Sequence, residues 1–113
     1  MEILSLKTNA DVLAALKNGE VKEYAREIRP NTQAKYCEMD EEGYVKDIDG
    51  VLQARKYDVV KFSYKHDSIA FAIDSAHIEL FEDENHELIT YEEKGEEYIA
   101  AQVVYKLGKV VAL

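Results

Sequence analysis

Three side chains that can bind anions or aromatic rings alternate along a short segment near the amino terminus, NGEVKEYAREIRP (residues 18–30). Lys22, Tyr24 and Arg26 are spaced two residues apart, so in an extended strand they lie on one face. A guanidinium group forms two parallel hydrogen bonds to a phosphate or carboxylate, and a tyrosine ring can stack on a nucleobase. With Arg29 at the end of the segment, the pattern predicts a site for an anionic or nucleotide-like ligand.

The same alternation also fits an ordinary half-exposed strand. Lys22, Glu23, Arg26 and Glu27 could form ion pairs with neighbouring strands without any ligand. Neither face of this segment is plainly apolar, which is unusual for a strand that covers a core. The residues alone leave both interpretations open.

Other kinds of chemistry are less clearly indicated. His66, His77 and His86 lack the spacing of a zinc site, and the chain has a single cysteine, so we predict no metal site and no cofactor. The neighbouring Lys35 predicts a lowered pKa for Cys37 if the thiol lies at a helix end. A nucleophile also needs an oriented base, and no motif supplies one.

Length and composition favour one domain spanning residues 1–113. Hydrophobic residues make up 47% of the chain, enough to form a core without metals or disulfides. The single cysteine fits a reducing compartment, and no apolar run approaches the roughly 20 residues of a membrane helix. We therefore expect a cytoplasmic protein without a membrane segment.

The net charge of −9 is unevenly distributed. Residues 37–50 carry −5 and residues 67–97 carry −10, so the remaining residues together carry +6. The overall charge opposes loose binding to nucleic acid, although a folded domain could gather its basic segments on one face. The acidic segment, residues 79–97, could alternatively dock a basic protein partner or mimic nucleic acid.

The elements that would position these residues follow from hydrophobic periodicity and turn residues. The first strand precedes a helix that Thr8 or Asn9 can cap and that Gly19 ends with a turn. Lys61 and Tyr64, on a later strand, are additional binding candidates. Strands are predicted for residues 2–7, 21–29 and 57–64, and one bent strand or two short ones for residues 68–81. A helix is predicted between the first two strands, a short helix after Pro30, and a loop or small hairpin over residues 38–50. Residues 82–97 are predicted to be an acidic, helix-tolerant stretch, and residues 98–113 to form two β-rich halves around Leu107–Gly108.

This order of elements predicts an α+β fold with one main amino-terminal helix, short additional helices and five or six strands. A small barrel is the simplest arrangement for so many strands, because closure removes exposed sheet edges.

Several of these segments resemble the ASCH domain family, a branch of the PUA-like superfamily of small β-barrels. ILSLK resembles the family's first strand, and YKLGKVVAL its closing strand. NGEVKEYAREIRP is similar to the signature that follows the first helix, especially in small phage and bacterial members, and YDVVKF stands where the family has Gly-Asp before a strand. Gly19, Glu20 or Glu23, and Arg26 match the signature.

The resemblance implies a PUA-like barrel with a cleft between the first helix and the signature strand. It implies binding of RNA or a nucleotide-like small molecule there, with Lys22, Tyr24, Arg26 and Arg29 as the contacting residues. Some members instead hydrolyse an amide on acetylated cytidine with a lysine, a threonine and a glutamate. Here the lysine and threonine positions hold Val21 and Tyr24, which favours binding over catalysis.

Overall fold

The structure, a computed structural model, describes residues 1–113. It confirms an α+β chain in which strands predominate and the helices are short. In chain order the elements are β1 (Ile3–Lys7), α1 (Ala10–Lys17), β2 (Glu23–Ile28), a 3₁₀ turn (Pro30–Thr32), α2 (Gln33–Tyr36), β3 (Asp47–Ile48), β4 (Val51–Leu52), β5 (Val59–Tyr64), β6 (Asp67–Leu80), β7 (Thr90–Glu93), β8 (Glu96–Ile99) and β9 (Ala101–Val111).

The strands form one large sheet and two hairpins. The five-stranded sheet has the order β1-β5-β6-β9-β2, and β3-β4 and β7-β8 form separate two-stranded sheets. Close contacts divide the chain into two compact units. The first unit comprises Met1–Tyr24, Lys56–Ser75 and Tyr105–Leu113, and the second comprises Ala25–Arg55 and Ala76–Val104. The prediction of a single domain over residues 1–113 stays a prediction.

The first unit is built on a parallel pair of strands. β1 runs parallel to β5, and β5 pairs antiparallel with β6. Leu4 and Leu6 are the two buried residues of β1, as the alternation of a half-buried strand requires. Phe62 is fully buried on β5, and the ring of Tyr24 meets it edge-on at 4.7 Å between ring centres. This arrangement is a favourable aromatic pair, so the half-buried Tyr24 packs against the core of this unit.

Helix α1 forms where its terminal signals predict it. The side chain of Asn9 accepts a hydrogen bond from the Val12 amide at 2.9 Å. This bond satisfies one of the first amides of the helix, which have no carbonyl partner within the helix. Leu13 and Leu16 are the buried residues of its apolar face. Gly19 follows with a φ of +73°, a conformation that glycine adopts without a steric penalty.

An ion pair joins α1 to the start of β6. Lys17 Nζ lies 2.5 Å from Asp67 Oδ2, and this hydrogen bond lowers the pKa of Asp67 below its ordinary value of 3.8. The stabilisation from such a carboxylate is present above the unfolded-state pKa and is lost as the pH falls through the lowered folded-state pKa. We expect Asp67→Asn to lower the melting temperature at pH 7, and its difference from the wild type to shrink below pH 3.8.

Thermal melts of both proteins between pH 2 and pH 8 measure this effect. Glu20→Gln, a change at an exposed carboxylate, controls for the loss of one negative charge. A melting difference for Asp67→Asn that stays constant down to the lowest pH would show that the ion pair contributes nothing.

The carboxyl-terminal segment is one strand, and the prediction of two halves around Leu107–Gly108 is wrong. β9 runs through Gly108 without a break. A glycine fits at position 108 because a distant part of the chain fills the space that a side chain would need. A Cβ at this position would collide with the Asp74 carboxylate and lie 3.1 Å from the Ala72 carbonyl oxygen.

Gly108→Ala should therefore lower the free energy of unfolding by about 1 kcal/mol, because the exposed Asp74 carboxylate can move aside but the Ala72 carbonyl oxygen remains close. Urea denaturation measures this cost. Adding Asp74→Ala should recover part of the loss, because the carboxylate no longer competes for the space. If Gly108→Ala is as stable as the wild type, neither the Asp74 carboxylate nor the Ala72 carbonyl oxygen restricts the side chain at this position.

The second unit contains both hairpins and α2. The interpretation of residues 82–97 as helix-tolerant is wrong, because β7 and β8 form an antiparallel hairpin there. Its turn consists of Lys94 and Gly95, which have φ values of 51° and 81°. Two successive positive φ angles are typical of the two-residue turns whose twist matches a hairpin. The turn and the cross-strand pairs thus outweigh the helix propensity of the glutamates.

Neither helix of the chain has the length and apolar content needed to cross a membrane.

Candidate functional site

An open groove of about 260 Å³ lies within the second unit. Most of its lining side chains are apolar, and the polar ones are an amide, a thiol, a carboxylate and two phenols. The lining residues are Ile28, Gln33, Cys37, Val45, Leu52, Ile78, Leu80, Tyr91, Glu97, Tyr98, Ile99 and Ala101. A concave, mainly apolar surface with a few polar groups is the usual composition of a small-molecule site.

Two tyrosines and an arginine form a stacked cluster at this groove, which we call the aromatic cluster. Tyr91 and Tyr98 face each other across the β7–β8 hairpin, with ring centres 5.7 Å apart and planes 25° from parallel. The Arg29 guanidinium carbon lies 4.6 Å from the centre of the Tyr91 ring. This distance is within the range of a cation–π interaction.

The backbone around Arg29 explains why its side chain reaches the hairpin tyrosine. Arg29 is extended, with φ −116° and ψ 163°, and it precedes the 3₁₀ turn that begins at Pro30. Its amide donates to Thr32 Oγ1 at 2.9 Å, which fixes the start of the turn. The guanidinium also pairs with Glu27 at 2.7 Å, so one side chain holds both a carboxylate and a ring. These contacts reduce the number of rotamers open to Arg29.

The tyrosine pair carries a second polar contact. The Tyr98 hydroxyl donates to Glu96 Oε2 at 2.9 Å, and this hydrogen bond raises the pKa of the phenol. Tyr98 therefore remains neutral at physiological pH and keeps its hydroxyl proton. The aromatic cluster thus presents flat π surfaces with the Arg29 guanidinium against Tyr91 and the Glu96 carboxylate beside Tyr98. Flat aromatic surfaces of this kind suit the stacking of another flat ring.

The thiol in the groove is not activated, and the prediction of a lowered pKa for Cys37 is wrong. Burial raises the pKa of the thiol to about 11, so it stays protonated at neutral pH. Lys35 does not oppose this effect, because its ammonium lies over the Tyr36 ring, 5.7 Å from the centre. Cys37 also follows the carboxyl end of α2, whose partial negative charge does not favour a thiolate.

The charges differ sharply between the two units. Lysines and arginines counted against aspartates and glutamates leave −10 on the second unit and +1 on the first. Phosphate groups would be repelled from a unit with so many carboxylates, except where an arginine lies close. The groove therefore suits the uncharged part of a ligand better than a string of phosphates.

The predicted binding residues are divided between the units. Lys22, Tyr24, Lys61 and Tyr64 belong to the first unit, and Arg26 and Arg29 belong to the second. The alternation predicted for β2 appears in the burial pattern, in which Tyr24, Arg26 and Ile28 are the more buried residues. Lys22 is exposed, just before the strand begins.

Lys61 and Tyr64 line two different pockets of the first unit. Lys61, with Ser68 and Val110, borders a pocket of about 250 Å³. Tyr64 borders another, of about 290 Å³, together with Lys7 and Lys65. Strand β5 therefore does not bring its two predicted binding residues to one pocket.

The hairpin tyrosines were not among the predicted site residues. The signal for them is the symmetric segment YEEKGEEY (residues 91–98), in which a tyrosine stands at each end and Lys94–Gly95 at the centre. A two-residue turn at that centre pairs the tyrosines across the hairpin. The acidic residues between them obscured this symmetry.

Comparisons of the chain with protein-family models, with curated proteins and with solved structures found no match in any of the three.

Proposed function

We propose that the protein is a PUA-like module of the ASCH type that binds RNA or a nucleotide-like ligand, and that the groove of the second unit receives the base. The observation that carries this proposal is the aromatic cluster of Arg29, Tyr91 and Tyr98 beside a mainly apolar groove. Aromatic side chains and arginine planes are the groups on which proteins stack unpaired bases.

The arrangement of elements supports the ASCH part of the proposal. ILSLK coincides with β1, and the signature segment covers the connection from α1 to β2 and β2 itself. YKLGKVVAL occupies the last part of β9 and the two residues beyond it. These segments that resemble the family thus lie on the two strands that flank the first helix and on the closing strand.

Stacking and burial supply the binding energy in this proposal. Stacking on an aromatic side chain contributes about 1–3 kcal/mol per base, and removal of apolar area from water adds about 25 cal/mol per Å². Phosphates contribute little here, because the second unit carries a charge of −10. The affinity for a nucleoside should therefore depend only weakly on salt, unlike binding through phosphates.

The residues of the signature segment have different roles in this proposal. Arg29 holds the ring of Tyr91 in place and can extend over a bound base. Lys22 and Arg26 remain candidates for contacts with the rest of an RNA ligand. Tyr24 is not needed for stacking, because its ring packs edge-on against Phe62.

Calorimetric titration with cytidine, adenosine and ribose tests the proposal. Both nucleosides should bind, ribose should not, and raising the salt from 50 to about 300 mM should change the nucleoside affinity by less than about threefold. Binding of ribose as tight as that of the nucleosides would contradict a base-stacking site. The absence of binding by either nucleoside, with folding verified by circular dichroism, would remove the proposal.

A further inference from the structure

A second pocket, of about 290 Å³, lies in the first unit and has a different chemical character. Its lining consists of Lys7, Thr8, Ser63, Tyr64 and Lys65. Each of these side chains ends in an ammonium or hydroxyl group, so each can donate a hydrogen bond, and none is a carboxylate. A pocket with only such groups suits an anion that accepts several hydrogen bonds at once.

The topology places these residues at the ends of two parallel strands. Lys7 closes β1 and lies opposite Ser63 of β5 in the parallel register. The Thr8 amide donates to the Ser63 carbonyl at 2.9 Å, so the chain segments leaving both strands stay together. The segments that leave the two strands therefore line this pocket together.

The charges around the pocket also favour an anion. The Lys65 ammonium lies 5.3 Å from the centre of the Tyr64 ring, so these two lining residues are close to each other. Asp67, which faces Tyr64 in the β5–β6 register, is the nearest carboxylate along that pair of strands. Its charge is already matched by Lys17, whose ammonium lies 2.5 Å from Asp67 Oδ2. Asp11, in the first turn of α1, is exposed and remains as an opposing charge.

We propose that this pocket binds a phosphate group, with Lys7 and Lys65 supplying positive charge and Thr8, Ser63 and Tyr64 donating hydrogen bonds from their hydroxyls. The phosphate can be free in solution or part of a sugar-phosphate backbone, because the pocket recognises the group itself. This site is separate from the base-binding groove of the second unit, and its binding does not depend on stacking.

Amide chemical shifts of the ¹⁵N-labelled protein, recorded during titration with inorganic phosphate, test this proposal. The amides of Thr8, Ser63 and Lys65 should shift in a saturable manner. Lys65→Gln should weaken phosphate binding at least fivefold, since it removes one of the two charges in the pocket. The matched control is Lys109→Gln, which neutralises an exposed lysine of the same unit outside the pocket and should change the affinity less than twofold.

Three ligands distinguish the sources of the phosphate. Inorganic phosphate, ribose 5-phosphate and a short single-stranded RNA are titrated separately against the same variants. Saturable shifts with ribose 5-phosphate or RNA, weakened by Lys65→Gln, identify a backbone phosphate as the ligand, and shifts with inorganic phosphate alone identify a free anion. Equal effects of Lys65→Gln and Lys109→Gln, or shifts spread over all the lysines, would overturn the proposal even if the nucleosides bind their groove.

Discussion

Tyr98→Ala is expected to reduce the affinity for a nucleoside by about tenfold or more. The change removes one of the two stacked rings at the groove, and such a ring is worth about 1–3 kcal/mol per base. A difference of 1.4 kcal/mol corresponds to a factor of ten in the dissociation constant. Calorimetric titration with cytidine and adenosine measures this loss.

Two variants control for effects other than stacking. Tyr98→Phe keeps the ring and removes only the hydrogen bond to Glu96, so its affinity should stay within about threefold of the wild type. Tyr44→Ala removes a tyrosine that is 69% exposed and does not line the groove, so it should bind normally. Equal losses in Tyr98→Ala and Tyr44→Ala would show that the hairpin tyrosines have no special part in binding.

Phe62→Ala is expected to cost about 3–5 kcal/mol of folding stability, the range measured for large-to-small changes of buried aromatic residues. Phe62 is 0% exposed and packs against the rings of both Tyr24 and Phe71. Because small domains are stable by only about 5–15 kcal/mol, we expect this loss to remove a large fraction of the total stability. Urea denaturation monitored by circular dichroism gives the difference.

Phe81→Ala is the matched control, since Phe81 is the same residue type but is 36% exposed. It should lose about 1 kcal/mol, the typical effect of a point substitution. Comparable losses for the two phenylalanines would mean that Phe62 is not a centre of the core. The same experiment bears on Tyr24, because Phe62→Ala removes the ring against which the half-buried Tyr24 packs edge-on.

Local signals account for the parts of the fold that the sequence predicts well. The start of α1 follows from Asn9, whose side chain caps the third helical residue, and its end follows from Gly19. Pro30 likewise predicts the short helical segment after β2. Each of these features depends on residues within about one helical turn of one another, so the local sequence is enough to predict it.

The errors arise where distant contacts decide the structure. The sequence predicts a break at Gly108 because glycine commonly ends a strand, whereas the contacts that favour glycine there come from Ala72 and Asp74, more than thirty residues earlier. The glutamates of residues 82–97 favour helix in isolation, but the turn at Lys94–Gly95 and the pairing of Tyr91 with Tyr98 produce a hairpin.

The candidate site likewise combines a residue that a local pattern indicates with a partner that is distant in the sequence. Arg29 is recognisable from the sequence because an arginine before a proline ends a segment rich in basic residues. Its aromatic partner Tyr91 lies 62 positions later, in a segment whose acidic residues suggested a protein-docking surface. No local sequence pattern links Arg29 to Tyr91, so the aromatic cluster can be recognised only from the folded structure.

Mapping the amide chemical shifts caused by saturating cytidine tests the central claim most directly. If the groove of the second unit receives the base, the largest shifts should occur at Arg29, Tyr91, Tyr98 and Ile99, and they should disappear in Tyr98→Ala. Shifts confined to the amides of Lys22 and Tyr24, or unchanged in the variant, would contradict the account.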